Sequence, residues 1–361
     1  MRIRDYLAQS GEPAFRFRQI ITAWQASTAE TFSDVHSLPE RLRGELTERF
    51  GPRLHPLTAL ELQRDEQVEK VLFASESGAR IETVVSHYRA GWDSMCISSQ
   101  AGCGLGCTFC ATGAVGLIRN LSADEIVAQV MHPRWRQAGR PRPASVAFMG
   151  MGEALANPHV FDALTLLTDE AYAGMSARRI TMSTVGFVPN LERLVNEHPQ
   201  VTITVSVHSP FPRQREEIIP LQERFPLAQT LDILDRHVAV SRRKVYLAYL
   251  LIDGVNDSED HLAALAELVR ERSRPELFHV SVIRYNEAAG VVAEYRAPSS
   301  TRVDEFVRGL TARGVHATRR RQFGTGIDAA CGQLHGKYLE SSSTGAAPIN
   351  TELIPVTPVG G

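Results

Sequence analysis

Four of the five cysteines in this chain lie in one short stretch, CISSQAGCGLGCTFC, which begins at Cys96, and the fifth lies far downstream at Cys331. Within the stretch, a CxxxCxxC motif is formed by Cys103, Cys107 and Cys110. Three thiolates can hold a 4Fe-4S cluster and leave one iron open for a substrate. The alternative is a structural zinc site completed by Cys96 or a histidine, although such sites usually use two separated ligand pairs.

The composition favours an enzyme over a small binding module. The chain has 361 residues, 43% of them hydrophobic, which is enough for one large core and a small accessory domain. Because the chain begins with the polar MRIRDYLAQSG and has no long apolar run, we expect a cytoplasmic protein that does not enter membranes. In that reducing compartment, unevenly spaced cysteines are better explained as metal ligands or reactive thiols than as a disulfide framework. The net charge is only -2, so any contact with nucleic acid must use local basic patches.

Short apolar runs alternate with helical patterns from residue 93 onward. The runs typical of strands lie at residues 93–97, 145–149, 179–183, 202–207, 244–252 and 278–283. Between them, apolar residues recur three and four apart, and Ser122 with Glu125 fits a capping box. Six such units predict an α/β fold with a parallel sheet, open or closed into a partial (β/α)6 TIM-like barrel. In such barrels the active site lies at the carboxyl ends of the strands.

The N-terminal region predicts a small helical unit followed by a β-hairpin. Residues 14–24 place four apolar side chains on one helix face: Phe17, Ile20, Ile21 and Trp24. A second helix is predicted to begin at Ser37, which fits a capping box with Glu40. Residues 70–75 and 80–85 then predict two strands joined by a short turn that lead into the cysteine stretch.

The cysteine triplet, placed after the first strand of a βα barrel, resembles the radical S-adenosylmethionine (SAM) superfamily. Further strings resemble, in order, the RlmN/Cfr family of 23S ribosomal RNA adenine methyltransferases: MGMGEALANP, STVGFVP, SVHSP, GVND, IRYN and GIDAACGQL. The resemblance covers residues 14–340 and includes FRFRQIITAW, which is similar to that family's small RNA-contacting helical domain. CISSQ, CATGAVGLIRNL and VIRYN look closer to the Cfr type, which targets carbon 8 of adenine and is associated with antibiotic resistance.

The resemblance implies a division of labour among the five cysteines. Cys103, Cys107 and Cys110 hold the 4Fe-4S cluster, while Cys331 receives a methyl group from a first SAM molecule. A second SAM, cleaved at the cluster, yields the radical that activates the S-methyl group for addition to adenine. Cys96 then resolves the adduct by forming a transient disulfide with Cys331. A radical route suits carbons 2 and 8 of adenine because neither carbon is nucleophilic.

Two further expectations concern the acceptor of a proton and the mobility of the chain. The resemblance makes Glu82 the proton acceptor, whereas the hairpin pattern alone equally predicts a solvent-facing residue there. Gly324, Gly326 and Gly332 fit a mobile segment that brings Cys331 to its successive partners.

The resemblance also implies a set of SAM contacts at the strand ends: Gly152, Glu153, Ser183, Ser206, Val207, His208 and Asn286. Gly152 and Glu153 resemble the GGE-type element that meets the amino group of SAM. Taken singly, a residue such as Ser183 or Ser206 is better explained as a strand-end polar side chain that caps a helix. Their joint placement around one rim favours a shared ligand.

Three basic stretches are candidate phosphate contacts, at residues 134–142, 241–244 and 318–322. Short charge runs are more often solvated faces, but Arg319, Arg320 and Arg321 directly precede the segment that carries Cys331. The implied partners are 23S rRNA and an electron donor such as flavodoxin or ferredoxin, and we expect a monomer.

We therefore expect five regions: a helical accessory domain (1–60), a hairpin linker with Glu82 (61–92), a barrel (93–322), a mobile cysteine segment (323–340) and a disordered tail (341–361). The predicted function is methylation of carbon 8 or carbon 2 of an adenine in 23S rRNA through an S-methylcysteine, with two SAM consumed per turnover. Two alternatives stay open. One is the same chemistry on another RNA or a small molecule, and the other is a non-catalytic, zinc-stabilised RNA-binding protein.

Overall fold

The computed structural model describes residues 3–26, 29–132, 143–291 and 294–338. The basic stretch at 134–142 and the expected tail at 341–361 lie outside the described residues. Within the described part, no helix is both long enough and apolar enough to cross a membrane.

Three helices open the chain: α1 (Ile3–Gln9), α2 (Ala14–Ala26) and α3 (Glu40–Phe50). The expected apolar face of α2 is confirmed, because all four of its side chains are buried. The expected start of the next helix at Ser37 is wrong: α3 begins at Glu40, its N-cap is Pro39, and no side chain caps it. A residue that precedes proline disfavours helical backbone, so Leu38 delays the helix until Pro39 has been passed.

Twelve strands follow in the described residues. In chain order they are β1 (Leu57–Asp65), β2 (Val68–Ser75), β3 (Arg80–Tyr88), β4 (Trp92–Cys96), β5 (Gln100–Gly102), β6 (Leu117–Asn120), β7 (Ser145–Phe148), β8 (Ile180–Thr184), β9 (Thr202–Ser206), β10 (Val245–Leu251), β11 (Phe278–Arg284) and β12 (Ala317–Arg319). Ten of them form one sheet in the order β1-β2-β3-β4-β7-β8-β9-β10-β11-β12, while β5 and β6 pair separately. The first four are antiparallel, and β4 with β7 to β12 are parallel.

Helices lie between the parallel strands, as the alternating pattern predicts. They are α4 (Ala111–Val115), α5 (Ala123–Met131), α6 (Val160–Thr168), α7 (Val188–Glu197), α8 (Pro212–Ile218), α9 (Leu227–Ser241), α10 (Glu259–Arg270) and α11 (Ser300–Ala312). The capping box of Ser122 with Glu125 is confirmed at the start of α5. All six expected strands are present, each within one residue of its predicted bounds.

Two strands of the main sheet were not expected. β1 is partly exposed along both faces, so it lacks the alternation that marks a strand in sequence. β12 has only three residues and lies within a basic run. The hairpin of β2 and β3 is also more than a linker, since β3 pairs directly with β4. The expected boundary after residue 60 falls inside β1, and the division into domains stays a prediction.

A buried glutamine on α5 holds the chain just beyond β4. The Gln129 side chain accepts a hydrogen bond from the Ser98 amide and donates one to the Ser98 carbonyl, both at 2.8 Å. It also accepts a hydrogen bond from the Thr83 hydroxyl at 2.8 Å. These three bonds fix the backbone that leads to the cysteine triplet.

Replacement of Gln129 by methionine should destabilise the protein. The new side chain has a similar volume but leaves the buried partners at Ser98 and Thr83 unpaired, which costs about 2–4 kcal/mol in total. The free energy of unfolding, from denaturant titration, measures the effect. Gln9→Met at the exposed end of α1 is the matched control and should stay within about 0.5 kcal/mol of the parent. Equal stability of the two variants would contradict this account.

His208 joins the end of β9 to β10 in an unusual backbone conformation. Its φ is 59°, and its buried Nδ1 accepts a hydrogen bond from the Leu250 amide at 3.1 Å. Asn256 donates to the His208 carbonyl at 2.7 Å. Burial, together with the nearby Arg215 cation, lowers the pKa of His208 to about 3. The ring is therefore neutral, with its proton on Nε2.

The lowered pKa of His208 predicts a loss of stability on acidification. As the pH falls through the ordinary histidine pKa, this histidine binds a proton in the unfolded chain but not in the folded one. The free energy of unfolding therefore decreases by about 1.4 kcal/mol between pH 7.5 and 5.5. His208→Asn keeps an acceptor and tolerates the positive φ. Its unfolding free energy should depend less on pH by that amount. Gln9→Met, which removes no titratable group, should keep the parent's pH dependence, and an unchanged slope in His208→Asn would refute the assignment.

Candidate active site

The carboxyl ends of the parallel strands surround a cavity of about 1050 Å³, part of which is open to solvent. We call it the cluster cavity. It brings together Cys103, Cys107, Cys110, Gly152, Glu153, Ser183, Ser206, His208 and Cys331. Residues from five separate parts of the chain thus meet in one space, as the sequence pattern predicts.

The cysteine triplet lies on a loop whose backbone is fixed. The Cys103 amide donates to the Gly116 carbonyl at 2.9 Å, and the Cys110 amide donates to the Cys107 carbonyl at 3.2 Å. Burial raises the pKa of the Cys103 thiol to about 12, and the pKa values of the other two thiols are raised for the same reason. Because metal ligation requires thiolates, binding of a cluster must release these protons.

Glu153 presents a buried carboxyl to the same cavity. Its oxygens accept hydrogen bonds from the Leu155 amide at 3.2 Å and the Val185 amide at 3.0 Å. Burial raises its pKa to about 7, and no cation among the described residues pairs with it. Gly152 adopts a φ of 97°, and a side chain there would lie 2.5 Å from Gln100. Glycine therefore allows this loop to pack closely against Gln100, whose side-chain oxygen accepts a hydrogen bond from the Glu153 amide at 2.9 Å.

The remaining predicted SAM contacts differ in their surroundings. Ser183 and Ser206 line the cluster cavity. Val207 is fully buried, and its amide already donates to the Ala248 carbonyl at 2.9 Å. Asn286 is buried and donates weakly to the Cys331 carbonyl at 3.4 Å, so it contacts the cysteine segment. The roles of these residues toward SAM stay predictions.

Arg215 is a buried cation that sequence reasoning missed. Its guanidinium donates to the carbonyls of Val207 at 3.1 Å, Ser206 at 2.9 Å and Val185 at 2.7 Å. It thereby ties the end of β9 to the residue after β8. Burial lowers its pKa to about 10, and the nearby Cys107 thiol opposes that shift. Its sequence context, PRQREE, is typical of a solvated helix and gave no signal of burial.

Cys331 faces a second cavity as well as the first. This second space, which we call the thiol cavity, is lined by both Cys96 and Cys331, and it shares Met149, Arg320 and Cys331 with the cluster cavity. Burial and the neighbouring Cys331 raise the pKa of Cys96 to about 12, while Arg320 opposes the shift. All five cysteines are free thiols, so the implied disulfide is not formed in this structure.

The segment that carries Cys331 is docked against the barrel. We call residues 323–338 the Cys331 segment. The Gly332 carbonyl accepts a hydrogen bond from the Ala111 amide at 2.8 Å, directly after the third cysteine of the triplet. Gln333 donates to the Glu287 carbonyl at 2.9 Å. The mobility expected of this segment stays a prediction.

Glu82 is buried, so the solvent-facing interpretation of this residue is wrong. One carboxylate oxygen lies 3.1 Å from the Lys70 ammonium, and the other accepts hydrogen bonds from the amides of His335 and Gly336, both at 2.8 Å. Lys70 also donates to the Asp328 carbonyl at 3.2 Å. The β2–β3 hairpin therefore contacts the Cys331 segment on both sides of the cysteine. Pairings between residues this far apart in the chain leave no pattern in sequence.

The residues present fit a 4Fe-4S cluster with SAM. Three thiols share a cavity with a buried carboxyl that has no cationic partner in the described part of the chain, which suits the amino group of SAM. Cys96 lines the thiol cavity instead, so it does not join the triplet as a fourth zinc ligand. No three Cys, His, Asp or Glu side chains of the described residues converge on a position for a single metal ion.

Comparison with known proteins agrees with this arrangement. A model of the radical SAM superfamily matches residues 97–266. The ribosomal RNA large subunit methyltransferase Cfr of Bacillus velezensis is 44% identical over 344 residues, which cover 95% of this chain and 98% of the relative. That of Staphylococcus aureus is 42% identical, covering 94% of this chain and 97% of the relative.

A solved structure supports the same assignment. The crystal structure of a radical SAM methyltransferase from Sphaerobacter thermophilus has a TM-score of 0.84 and 38% identity to this chain, covering 92% of this chain and 96% of that one. The chain therefore belongs to the Cfr family of radical SAM methyltransferases, which use a 4Fe-4S cluster and SAM.

Proposed function

We propose that this protein methylates carbon 8 or carbon 2 of one adenine in 23S rRNA, with Cys331 as methyl carrier and two SAM consumed per turnover. The observation that carries the proposal is the position of Cys331, whose side chain borders the cluster cavity on one side and the thiol cavity with Cys96 on the other. The names of the Cfr relatives, which act on large subunit rRNA, support the choice of acceptor. In this proposal the enzyme works in the cytoplasm as a monomer and takes electrons from a flavodoxin or ferredoxin, and its likeness to the Cfr type associates it with antibiotic resistance.

The chain's own residues divide the work as follows. Cys103, Cys107 and Cys110 hold the cluster, and Glu153 orients SAM through its amino group. When bound, these cofactors would supply the methyl group and the radical that removes hydrogen from it, and the cluster would take back the one electron that the adenine adduct must lose. Cys331 carries the methyl carbon and bonds it to the adenine.

Cys96 completes the cycle because it lies beside Cys331 in the thiol cavity. Its thiolate attacks the Cys331 sulfur, the bond from that sulfur to the methylene carbon breaks, and the methylated base leaves after gaining a proton. A disulfide between the two cysteines remains and must be reduced before the next turnover. Arg320, which lines the same cavity, favours the reactive thiolate.

Glu82 removes a proton from the adduct in this proposal. In the docked arrangement its two oxygens are committed to Lys70 and to the amides of His335 and Gly336. Movement of the Cys331 segment away from the hairpin breaks the two amide contacts and frees one carboxylate oxygen. Release of the base and release of the cysteine segment are thus one event.

Expression of the chain in a bacterial host should add one methyl group to a single adenosine of 23S rRNA. Mass spectrometry of digested rRNA, with a deuterium label at carbon 8, locates the methyl group because substitution at that carbon loses the label. Cys331→Ala, expressed at the same level, is the matched control and should add none. Unmodified rRNA from cells whose purified enzyme carries its cluster and cleaves SAM would refute the proposed acceptor.

Cys96→Ala should trap the enzyme on its RNA. Without the resolving thiol the methylene bridge persists, so a covalent protein–RNA species should accumulate on denaturing gels while product formation falls at least 100-fold, as expected for loss of a catalytic nucleophile. Cys331→Ala in the same assay should give neither adduct nor product. Turnover of Cys96→Ala at the parent rate would show that this cysteine is not the resolving thiol.

A further inference from the structure

A third and larger space opens beside the thiol cavity, with a volume of about 1840 Å³ that includes open solvent. We call it the arginine groove. Five arginines line it: Arg89, Arg284, Arg319, Arg320 and Arg321. Aspartate and glutamate are absent from its lining among the described residues. A concave surface with one sign of charge attracts a polyanion, although the chain as a whole is slightly acidic.

The arginines have different surroundings. Arg319 is paired with Asp304 at 3.0 Å, and Arg320 turns inward, with its guanidinium 3.0 Å from the Met149 sulfur. Arg89 and Arg321 are exposed, and no carboxylate among the described residues pairs with either. These last two are therefore the cations available to phosphate.

An aromatic stack stands at the edge of the groove. The centroids of the Tyr88 and Trp92 rings lie 3.8 Å apart and the rings are nearly parallel, at 11°, while Phe323 and Tyr88 form an edge-to-face pair with centroids 5.6 Å apart. Tyr88 and Trp92 are opposite each other in the β3–β4 pairing, joined by a tight turn in which Gly91 has a φ of 83°. The stack is thus held by the sheet. Trp92 is 40% exposed, which leaves its outer face open.

The arginine groove leads to the reactive thiols. It shares Tyr88, Arg320, Arg321 and Phe323 with the thiol cavity, where Cys96 and Cys331 lie. A chain held in the groove would therefore have its next residue at the mouth of the thiol cavity. Proteins that recognise single-stranded nucleic acid combine two elements: cations that contact the backbone and aromatic rings that stack on the bases.

We propose that the arginine groove binds an unpaired RNA segment next to the target adenine, with one base stacked on the outer face of Trp92 and the backbone phosphates on Arg89 and Arg321. The proposal rests on the proposed function and adds the form of RNA that the enzyme accepts. A duplex hides its base faces, so it can use the arginines and not the stack. The groove therefore selects a strand whose neighbouring bases are already unstacked.

The test compares three variants of the cluster-loaded enzyme by fluorescence anisotropy with a labelled single-stranded 23S rRNA fragment and its blunt duplex. Trp92→Ala should raise the Kd for the single strand roughly 5- to 100-fold and leave the Kd for the duplex within about 2-fold. Trp92→Phe should restore most of the affinity, because it keeps a ring. Phe211→Ala, at an exposed aromatic that lines none of the three cavities, should bind like the parent.

Two further measurements complete the test. Arg89→Gln with Arg321→Gln should reduce the slope of log K against log salt by about 0.7 per charge removed. In the unsubstituted enzyme, single-stranded RNA should quench tryptophan fluorescence, and Trp92→Phe should reduce the quenching. This readout does not depend on how well Trp92→Ala folds.

The outcomes separate the two proposals. If Trp92→Ala binds single-stranded RNA like the parent while the parent methylates rRNA, the groove proposal is wrong and the proposed function stands. If RNA binding depends on Trp92 but no rRNA is methylated, the groove stands and the proposed function fails. Equal loss of single-strand and duplex binding in Trp92→Ala would also overturn the groove, since it would remove the role of stacking.

Discussion

The arrangement of this molecule depends on a buried ion pair between Lys70 and Glu82. Burial of two charges is costly unless every remaining hydrogen-bonding position is used. Here the Cys331 segment supplies those partners, through the Asp328 carbonyl for Lys70 and the amides of His335 and Gly336 for Glu82. The ion pair and the Cys331 segment therefore stabilise each other. This mutual dependence places Cys331 between its two cavities.

The electrostatics of the cluster cavity are equally specific. Among the described residues, the buried Glu153 carboxyl has no cationic partner. The buried Arg215 guanidinium donates its hydrogen bonds there to backbone carbonyls and to the side-chain oxygen of Gln222. Beyond the dominant effect of burial, Glu153 raises the pKa of Cys107 and Arg215 lowers it. The two charges thus flank the triplet with opposite signs. A positively charged amino group beside Glu153 and thiolates beside Arg215 would balance both.

Much of the fold could be predicted from sequence because its signals are local. The alternation of apolar runs with helical patterns predicted the six central strands, and the position of the triplet directly after the first of them predicted a site at the strand ends, where the structure has a cavity. Prediction from sequence failed where the structure depends on contacts between distant residues or where an element is very short. β12 has three residues, and Pro39 overrode an apparent cap at Ser37. The burial of Arg215 and Lys70 left no signal in the sequence, because burial of a charge is decided by partners elsewhere in the chain.

One hydrogen bond described above links the cysteine triplet to the Cys331 segment. The Ala111 amide, at the start of α4 and next to Cys110, has the Gly332 carbonyl as its acceptor, and Gly332 adjoins Cys331. Helix α4 is only one turn long, so the loss of a single hydrogen bond at its start can disturb it. If Cys331 were to leave its docked position, the Ala111 amide beside Cys110 would lose its acceptor. Undocking of the Cys331 segment would therefore alter the hydrogen bonding of the loop that carries the cysteine triplet.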